Sequence, residues 1–202
     1  MLITESTVDQ LAWDKMNQLI PCIVQHVLTG EVLMQGYMNR DALLQTLQSK
    51  AVTFYSRSKQ RLWKKGEQSG HVLQFTGAYR DCDNDSILVQ ALPQGPTCHL
   101  GTRSCFAEAP APFLVQLNNI IKARRGASPD ASYTAKLLSQ PIKRIAQKVG
   151  EEGVEVALAA TVQDKDELLN ESADLLYHLL VTLEASDLNL EQVLEVLQQR
   201  HR

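Results

Sequence analysis

A proline-rich segment near the middle of the chain constrains the fold more than any other feature of the sequence. Residues 107–112 read Ala-Glu-Ala-Pro-Ala-Pro. Proline cannot continue a helix and lacks the amide hydrogen that a sheet requires, so such a segment stays extended as a spacer. The chain has 202 residues, enough for two domains of about 100 residues each. We therefore predict an N-terminal domain over residues 1–113 and a C-terminal domain over residues 114–202.

The part before the spacer contains short apolar and β-branched runs separated by turn residues. These runs predict strands over residues 20–28, 32–37, 51–56, 72–79 and 86–92. Residues 29–31, Thr-Gly-Glu, predict a hairpin turn between the first two strands. A helix is predicted over residues 39–47, with Asn39 as its N-cap and leucines on its apolar face. The N-terminal domain is therefore predicted to be α+β with mostly antiparallel strands.

The part after the spacer has the 3.6-residue periodicity of amphipathic helices. Helices are predicted over residues 113–125, 133–138, 142–161, 165–186 and 190–200. Leucines at positions 175, 176, 179, 180 and 183 form a stripe wider than a small monomer is expected to bury. The C-terminal domain is therefore predicted to be an all-α helical bundle, which a partner chain could complete.

Composition and charge exclude several classes of protein. The net charge of −3 gives no basic footprint for general nucleic-acid binding. No apolar run approaches the roughly 18 residues that a membrane span requires. The N-terminal residues lack the basic-then-apolar pattern of a secretory signal. We expect a cytoplasmic protein with neither a nucleic acid nor a membrane as its partner.

Residues 81–85, Asp-Cys-Asp-Asn-Asp, form the first candidate metal site. In an extended strand Asp81, Asp83 and Asp85 would point to one face and Cys82 to the other. Three carboxylates on one face repel each other unless a cation neutralises them, and oxygen ligands suit Mg²⁺. A solvated acidic turn is the alternative interpretation.

Three cysteines, Cys82, Cys98 and Cys105, form a second candidate set. Disulfides are disfavoured in a reducing cytosol, so clustered cysteines there are more often ligands or nucleophiles. Three thiolates could hold zinc and leave its fourth position open, although the spacing fits reduced structural cysteines equally well. His99 could be a fourth ligand or a general base, although a lone histidine is more often neither. Because Cys82 would leave the opposite face of the strand, we hypothesise that it reaches the cysteines of another subunit and shares a zinc there.

The segment 56–71 contains five cations, three serines, two glycines and one tryptophan. Arginine and lysine can hold a phosphate, and a tryptophan ring can stack on a purine base. A basic surface loop is the simpler alternative. The candidate substrate-binding residues in this part of the chain are Arg57, Lys59, Arg61, Trp63, Lys65, Ser69, His71 and Arg103.

Segments 56–71, 81–85 and 98–105, in this order, resemble the phosphoribosyl-AMP cyclohydrolases of histidine biosynthesis. The resemblance covers most of residues 10–107. It implies that a zinc-activated water opens the adenine ring between N1 and C6, with His99 as the candidate for proton transfer.

The same resemblance implies two metals and a homodimer. Zinc would be held by Cys98 and Cys105 of one chain and Cys82 of the other. Mg²⁺ would be held by the three aspartates of segment 81–85.

Acidic residues on two predicted helices form the last candidate site. Glu151 and Glu155 are spaced to share one helical face, with Glu152 about 100° away. Glu171 and Asp174 share a face of the next helix, so antiparallel packing would gather these carboxylates around Mg²⁺. A solvated acidic face is the usual alternative, but an unpaired charge inside the apolar helix of Glu171 would be costly.

This acidic pattern resembles the all-α nucleotide pyrophosphatases. Segments 124–125, 132–134, 148–152 and 173–178 resemble phosphoribosyl-ATP pyrophosphatase more specifically, over residues 114–202. The resemblance implies hydrolysis between the α- and β-phosphates, one step before the cyclohydrolase reaction. Its implied site residues are Lys148 for the substrate, Glu151, Glu152, Glu155, Glu171 and Asp174 for Mg²⁺, and Glu152 as the candidate among the glutamates for activating water.

Two rival interpretations remain open from the sequence. The C-terminal part could be a housecleaning pyrophosphatase that acts on canonical nucleoside triphosphates. Alternatively, the chain could be a zinc-stabilised binding module on a dimerising helical bundle.

Overall fold

The computed structural model describes residues 1–201 and divides into two compact units. One unit runs from Met1 to Pro112 and the other begins at Phe113. Among the residues described, no helix combines the length and apolar character that crossing a bilayer requires.

The first unit contains a four-stranded sheet, a two-stranded hairpin, one α-helix and a short 3-10 helix at Glu5–Gln10. Its elements are β1 Ile20–His26, β2 Val32–Met38, α1 Arg40–Ser49, β3 Thr53–Ser56, β4 Arg61–Lys64, β5 Leu73–Arg80 and β6 Ile87–Pro93. The large sheet has the order β2-β1-β6-β5, in which β1 pairs with β6 in parallel and the other two pairs are antiparallel. The predicted α+β class with mostly antiparallel strands is confirmed. The parallel pair was not predicted.

Alternating burial along β1 shows why the sequence adopts this sheet. Ile20, Cys22 and Val24 are fully buried, while Ile23 between them is exposed. The chain reverses at Gly30, whose φ of 75° suits a residue without a side chain, and returns as β2. Asn39 accepts a hydrogen bond from the Ala42 amide at 2.9 Å, so its predicted N-cap role is confirmed.

The short strand β4 was missed from the sequence because its charged ends are exposed. It pairs with β3, and the Phe54 and Trp63 rings stack across the pair with centroids 5.8 Å apart. This hairpin holds Trp63 in place, and Lys65 follows directly after β4.

The predicted extended geometry of residues 81–85 is wrong. These residues form a loop between β5 and β6, with Asn84 in the left-handed region at φ 65°. An Asp81 carboxylate oxygen accepts hydrogen bonds from the Asp85 and Ser86 amides, at 3.0 and 3.2 Å. Such bonds give the backbone an alternative to strand pairing. The argument from alternating faces therefore does not apply to Cys82.

The second unit consists of helices, which confirms the predicted all-α bundle. Its helices are α2 Phe113–Arg124, α3 Tyr133–Leu138, α4 Ile142–Val162, α5 Lys165–Ala185 and α6 Leu190–Arg200. Only two residues separate α4 from α5, so these two helices pack side by side in opposite directions. The core is formed by Ile121, Leu137, Ile145, Leu180 and Val181. Of the leucines in the predicted stripe, Leu180 is buried, whereas Leu176 is 49% exposed.

Candidate active sites

A cavity of about 510 Å³ opens in the first unit between two loops. One loop follows β4 and contributes Lys65, Ser69 and His71, with Trp63 at the end of the strand. The other loop follows β6 and contributes Cys98, His99 and Cys105 to the same cavity. The structure thus brings seven of the predicted residues of this unit into one site.

Hydrogen bonds to β2 hold the cysteine loop against the sheet. The Cys105 amide donates to the Leu33 carbonyl at 2.8 Å, and the Ser104 hydroxyl donates to the Val32 carbonyl at 2.8 Å. Within the loop the Cys98 amide donates to the Thr102 carbonyl at 3.0 Å. These bonds hold the backbone at Cys98 and Cys105 in place.

The Cys98 and Cys105 thiols lie side by side. Hydrogen bonds from the Leu100 amide and the Thr102 hydroxyl lower the pKa of the Cys98 thiol, and contact with Cys105 lowers it further. Burial raises the pKa of Cys105. Two adjacent sulfur donors, one favoured as a thiolate, match the ligand preferences of zinc.

Lys65 lies buried beside these thiols, with 8% of its surface exposed. Burial lowers the pKa of its ammonium, while the charges of Cys105 and Cys98 oppose that shift. The next residue, Gly66, has φ 84°, and a side chain there would collide with the backbone of His71. The cavity rim therefore requires glycine at this position.

The three aspartates of the β5–β6 loop also come together, outside this cavity. Asp81, Asp83 and Asp85 each offer an oxygen within 4.8 Å of the others. The Lys15 ammonium lies 2.8 Å from Asp83 and 2.6 Å from Asp85, and this contact lowers the pKa of Asp83. Lys15 was not identified from the sequence because it lies 66 residues before the loop in the chain.

A second acidic group lies between α4 and α5 in the other unit. Glu152, Glu155 and Glu171 offer oxygens within 4.8 Å of one another, and Glu152 is only 5% exposed. Burial raises the pKa of Glu152, but the Lys148 ammonium at 3.0 Å, together with His178 and Glu155, holds that pKa below its usual range. Burial and the charges of Glu155 and Glu152 raise the pKa of Glu171. Like charges held this close favour binding of a cation.

A cavity of about 490 Å³ lies beside this acidic group. Its walls are formed by Tyr133 of α3, by Lys148 and Glu152 of α4, and by Asp174, Tyr177 and His178 of α5. A cation and carboxylates around one cavity suit a polyphosphate bound through a divalent metal.

Comparison with known proteins assigns both halves of the chain. Residues 34–107 match the family model of phosphoribosyl-AMP cyclohydrolase, and residues 114–201 match that of phosphoribosyl-ATP pyrophosphohydrolase. The histidine biosynthesis bifunctional protein HisIE of Salmonella typhimurium is 57% identical over 203 residues, covering 100% of both chains. The protein of the same name from Yersinia pestis is 55% identical over 202 residues, covering 99% of each chain. The chain belongs to the HisIE family.

Both resemblances seen in the sequence are thereby confirmed. The chain is a bifunctional enzyme of histidine biosynthesis with a cyclohydrolase domain and a pyrophosphohydrolase domain. The cysteine-lined cavity belongs to the cyclohydrolase part, and the acidic group of α4 and α5 belongs to the pyrophosphohydrolase part.

Several predicted substrate-binding residues of the cyclohydrolase domain do not line its cavity. The Arg57 guanidinium lies over the Tyr37 ring, 4.0 Å from its centroid. Arg61 and Arg103 form ion pairs at 2.5 Å with Glu67 and Glu31 respectively. Lys59 is exposed in the β3–β4 turn. Their positive charge is the reason that the sequence predicts phosphate binding, but charge does not specify which way a side chain points.

Other lining residues of this cavity were not predicted from the sequence. They are Met34, Gly66, Glu67, Gln68, Pro96, Thr97 and Gly101. Most of them are small or uncharged and carry no chemical signature of a site, although Gly66, Glu67 and Gln68 lie inside the basic segment that was singled out.

Cys82 is exposed on the β5–β6 loop and does not line the cavity that contains the other two candidate zinc ligands. Within residues 1–201, the groups of three side chains close enough to hold one metal are the two carboxylate groups described above. Over the residues that the structure describes, the three cysteines of one chain therefore do not form a common site.

The face assignment of the glutamates in α4 is corrected by the structure. Sequence reasoning placed Glu151 and Glu155 together and Glu152 apart. In the structure Glu152 lies with Glu155, because residues three apart on a helix also share a face. Glu151 instead contacts Lys148 at 2.7 Å and accepts a hydrogen bond from Gln147 at 2.7 Å.

Proposed function

We propose that the cyclohydrolase domain works as a homodimer in which Cys98 and Cys105 of one chain and Cys82 of the partner subunit hold zinc. The proposal is supported by one observation above all. Two thiols lie side by side in the cavity, and the third lies on an exposed loop outside it. Bound zinc would supply Lewis-acid activation of a water molecule.

The residues of this chain then perform the remaining steps of ring opening. Trp63 forms a wall on which the purine of phosphoribosyl-AMP can stack, and Lys65 and His71 can contact its phosphates. His99, with Nδ1 3.9 Å from the Cys98 sulfur, can accept a proton from the attacking water. It then delivers that proton to N1 as the N1–C6 bond breaks.

Mixing two inactive variants tests the shared site. In a heterodimer of Cys82→Ala and Cys98→Ala chains, one of the two sites has all three cysteines. Random mixing should therefore restore about a quarter of the wild-type cyclohydrolase activity, since half of the dimers are heterodimers.

Differently tagged chains establish that subunits have exchanged. An exchanged mixture that stays as inactive as its two parents would show that zinc is not shared. Each variant should keep its pyrophosphohydrolase activity, which reports that the C-terminal domain is folded.

We further propose that Asp81, Asp83 and Asp85 bind Mg²⁺ in competition with Lys15. The ammonium bridges two of the three carboxylates and would have to leave or shift when a cation binds. Lys15→Gln should therefore raise the affinity of this site for Mn²⁺, a paramagnetic substitute for Mg²⁺, by roughly fivefold.

Electron paramagnetic resonance titration of Mn²⁺ measures this affinity. Asp83→Asn identifies which of the bound ions belongs to the loop, and Lys122→Gln in the other domain controls for the change in net charge. Suppose that Asp83→Asn removes a Mn²⁺ site and that Lys15→Gln leaves the affinity of the same site unchanged. The proposal that Lys15 competes with the cation would then be wrong. If Asp83→Asn removes no site, the aspartates do not bind the metal.

For the pyrophosphohydrolase domain we propose that Glu152, Glu155, Glu171 and Asp174 hold Mg²⁺. This metal would neutralise charge on the leaving pyrophosphate. Glu152 accepts a proton from the water that attacks the α-phosphorus, and Lys148 binds a phosphate of phosphoribosyl-ATP. The buried position of Glu152 in both the acidic group and the cavity supports this assignment.

We also propose that both reactions take place in the cytoplasm. The pyrophosphohydrolase reaction releases pyrophosphate and leaves phosphoribosyl-AMP, which is the substrate of the cyclohydrolase reaction.

A further inference from the structure

His178 is a buried ring in the pyrophosphohydrolase cavity whose two nitrogens both have partners. It is 5% exposed and lies one turn beyond Asp174 on α5. Its Nδ1 is 2.9 Å from the Asp174 carbonyl oxygen and 3.5 Å from Oε1 of Glu152. Its Nε2 is 3.1 Å from the Tyr133 hydroxyl.

The chemistry of these partners assigns the protons. The Asp174 carbonyl and the ionised Glu152 are both acceptors, so Nδ1 carries a hydrogen. In a neutral ring Nε2 must then accept a hydrogen bond from the Tyr133 hydroxyl. Tyr133 then donates to Nε2 of His178, and Nδ1 donates to the Asp174 carbonyl at 2.9 Å, with Oε1 of Glu152 3.5 Å from the same nitrogen.

Ring packing and a second hydrogen bond hold the Tyr133 and His178 side chains in place. The Tyr177 ring meets the His178 ring edge-on, with centroids 5.1 Å apart. The Tyr177 hydroxyl is hydrogen-bonded to the Thr134 hydroxyl at 2.8 Å. Adjacent residues at the start of α3, Tyr133 and Thr134, are therefore tied to adjacent residues of α5.

We infer that His178 is a positioning residue for Glu152, and that Tyr133 acts through His178. Nζ of Lys148 lies 3.0 Å and Nδ1 of His178 lies 3.5 Å from the same oxygen of Glu152, Oε1. The inference rests on the proposed role of Glu152 in the pyrophosphohydrolase site.

Two substitutions separate the functions of the two ring nitrogens. Asparagine places its amide nitrogen near the position of Nδ1, whereas glutamine places its own near Nε2. His178→Asn keeps a donor toward Glu152 and should lower the pyrophosphohydrolase kcat by about tenfold or less. His178→Gln loses that donor and should lower kcat by about a hundredfold, with KM nearly unchanged.

Tyr133→Phe tests whether the hydroxyl acts through the ring. It should lower kcat by several-fold in the parent chain. In the His178→Asn background it should have no further effect, because the shorter amide does not reach Tyr133. The cyclohydrolase activity of every variant should stay close to that of the parent, which excludes a general folding defect.

Three results would overturn the inference. In the first, His178→Asn and His178→Gln lower kcat equally. In the second, Tyr133→Phe has the same effect in both backgrounds, which would place the hydroxyl on the substrate itself. In the third, His178→Gln leaves kcat unchanged although Glu152→Gln abolishes activity. By contrast, full activity of Glu152→Gln would refute the proposed role of Glu152 itself.

Discussion

Replacing Cys98 with serine is expected to remove zinc and to lower the cyclohydrolase kcat by about a thousandfold or more. A serine hydroxyl is a poor substitute for a thiolate, and without the metal the attacking water stays near its ordinary acidity. Zinc content by atomic absorption and both activities should be measured on one preparation. The pyrophosphohydrolase activity should be retained.

Cys22→Ala provides the matched control for this loss. Cys22 is fully buried in the core of the sheet, and burial alone raises the pKa of its thiol. Its replacement should leave the zinc content unchanged even if the domain becomes less stable. A Cys98→Ser enzyme that keeps both zinc and ring-opening activity would contradict the proposed ligand set.

Replacing Glu152 with glutamine is expected to lower the pyrophosphohydrolase kcat by about a thousandfold, within the range of 10²–10⁴ that general acid–base catalysis typically contributes. The substitution keeps the shape of the side chain but removes its charge from the acidic group and its ability to accept a proton. The cyclohydrolase activity should be unchanged. Steady-state assays with phosphoribosyl-ATP and with phosphoribosyl-AMP measure the two effects separately.

Glu151→Gln is the corresponding control, one residue away. Its carboxylate contacts Lys148 and Gln147 rather than Glu155 and Glu171. We therefore expect a fall of less than about tenfold, from a small shift of Lys148. Equal losses for both variants would mean that the acidic site includes Glu151, as the sequence analysis first assumed.

The bifunctional chain makes each of these experiments internally controlled. A substitution in one site that leaves the other activity intact cannot be explained by aggregation or loss of protein. Assays of the two activities thereby distinguish an effect confined to one domain from a loss of the whole chain.

Local patterns were sufficient to predict most of the secondary structure. Helix periodicity located α4 and α5, the Asn39 cap marked the start of α1, and a short apolar run before a turn indicated β1. The types of residue also indicated what each site could bind, because thiols, carboxylates and ammonium groups have distinct ligand preferences. These features depend on neighbours within a few residues of one another.

Local patterns were not sufficient to predict where a loop replaces a strand or which way a side chain points. The β5–β6 loop replaced a predicted strand because Asp81 bonds to backbone amides that would otherwise pair. The arginines of the basic segment gave a correct signal of charge but turned to Glu67 and Tyr37 instead of the cavity.

The sequence by itself determined the two-part architecture, the family and the chemical nature of both sites. Only the tertiary structure decided that Lys15 bridges the aspartates, that Glu152 rather than Glu151 enters the acidic group, and that His178 connects Tyr133 with Glu152. The physical reason is that periodicity along the chain determines which side chains share a face of a helix or strand. Contacts between distant segments depend on how the helices and strands pack.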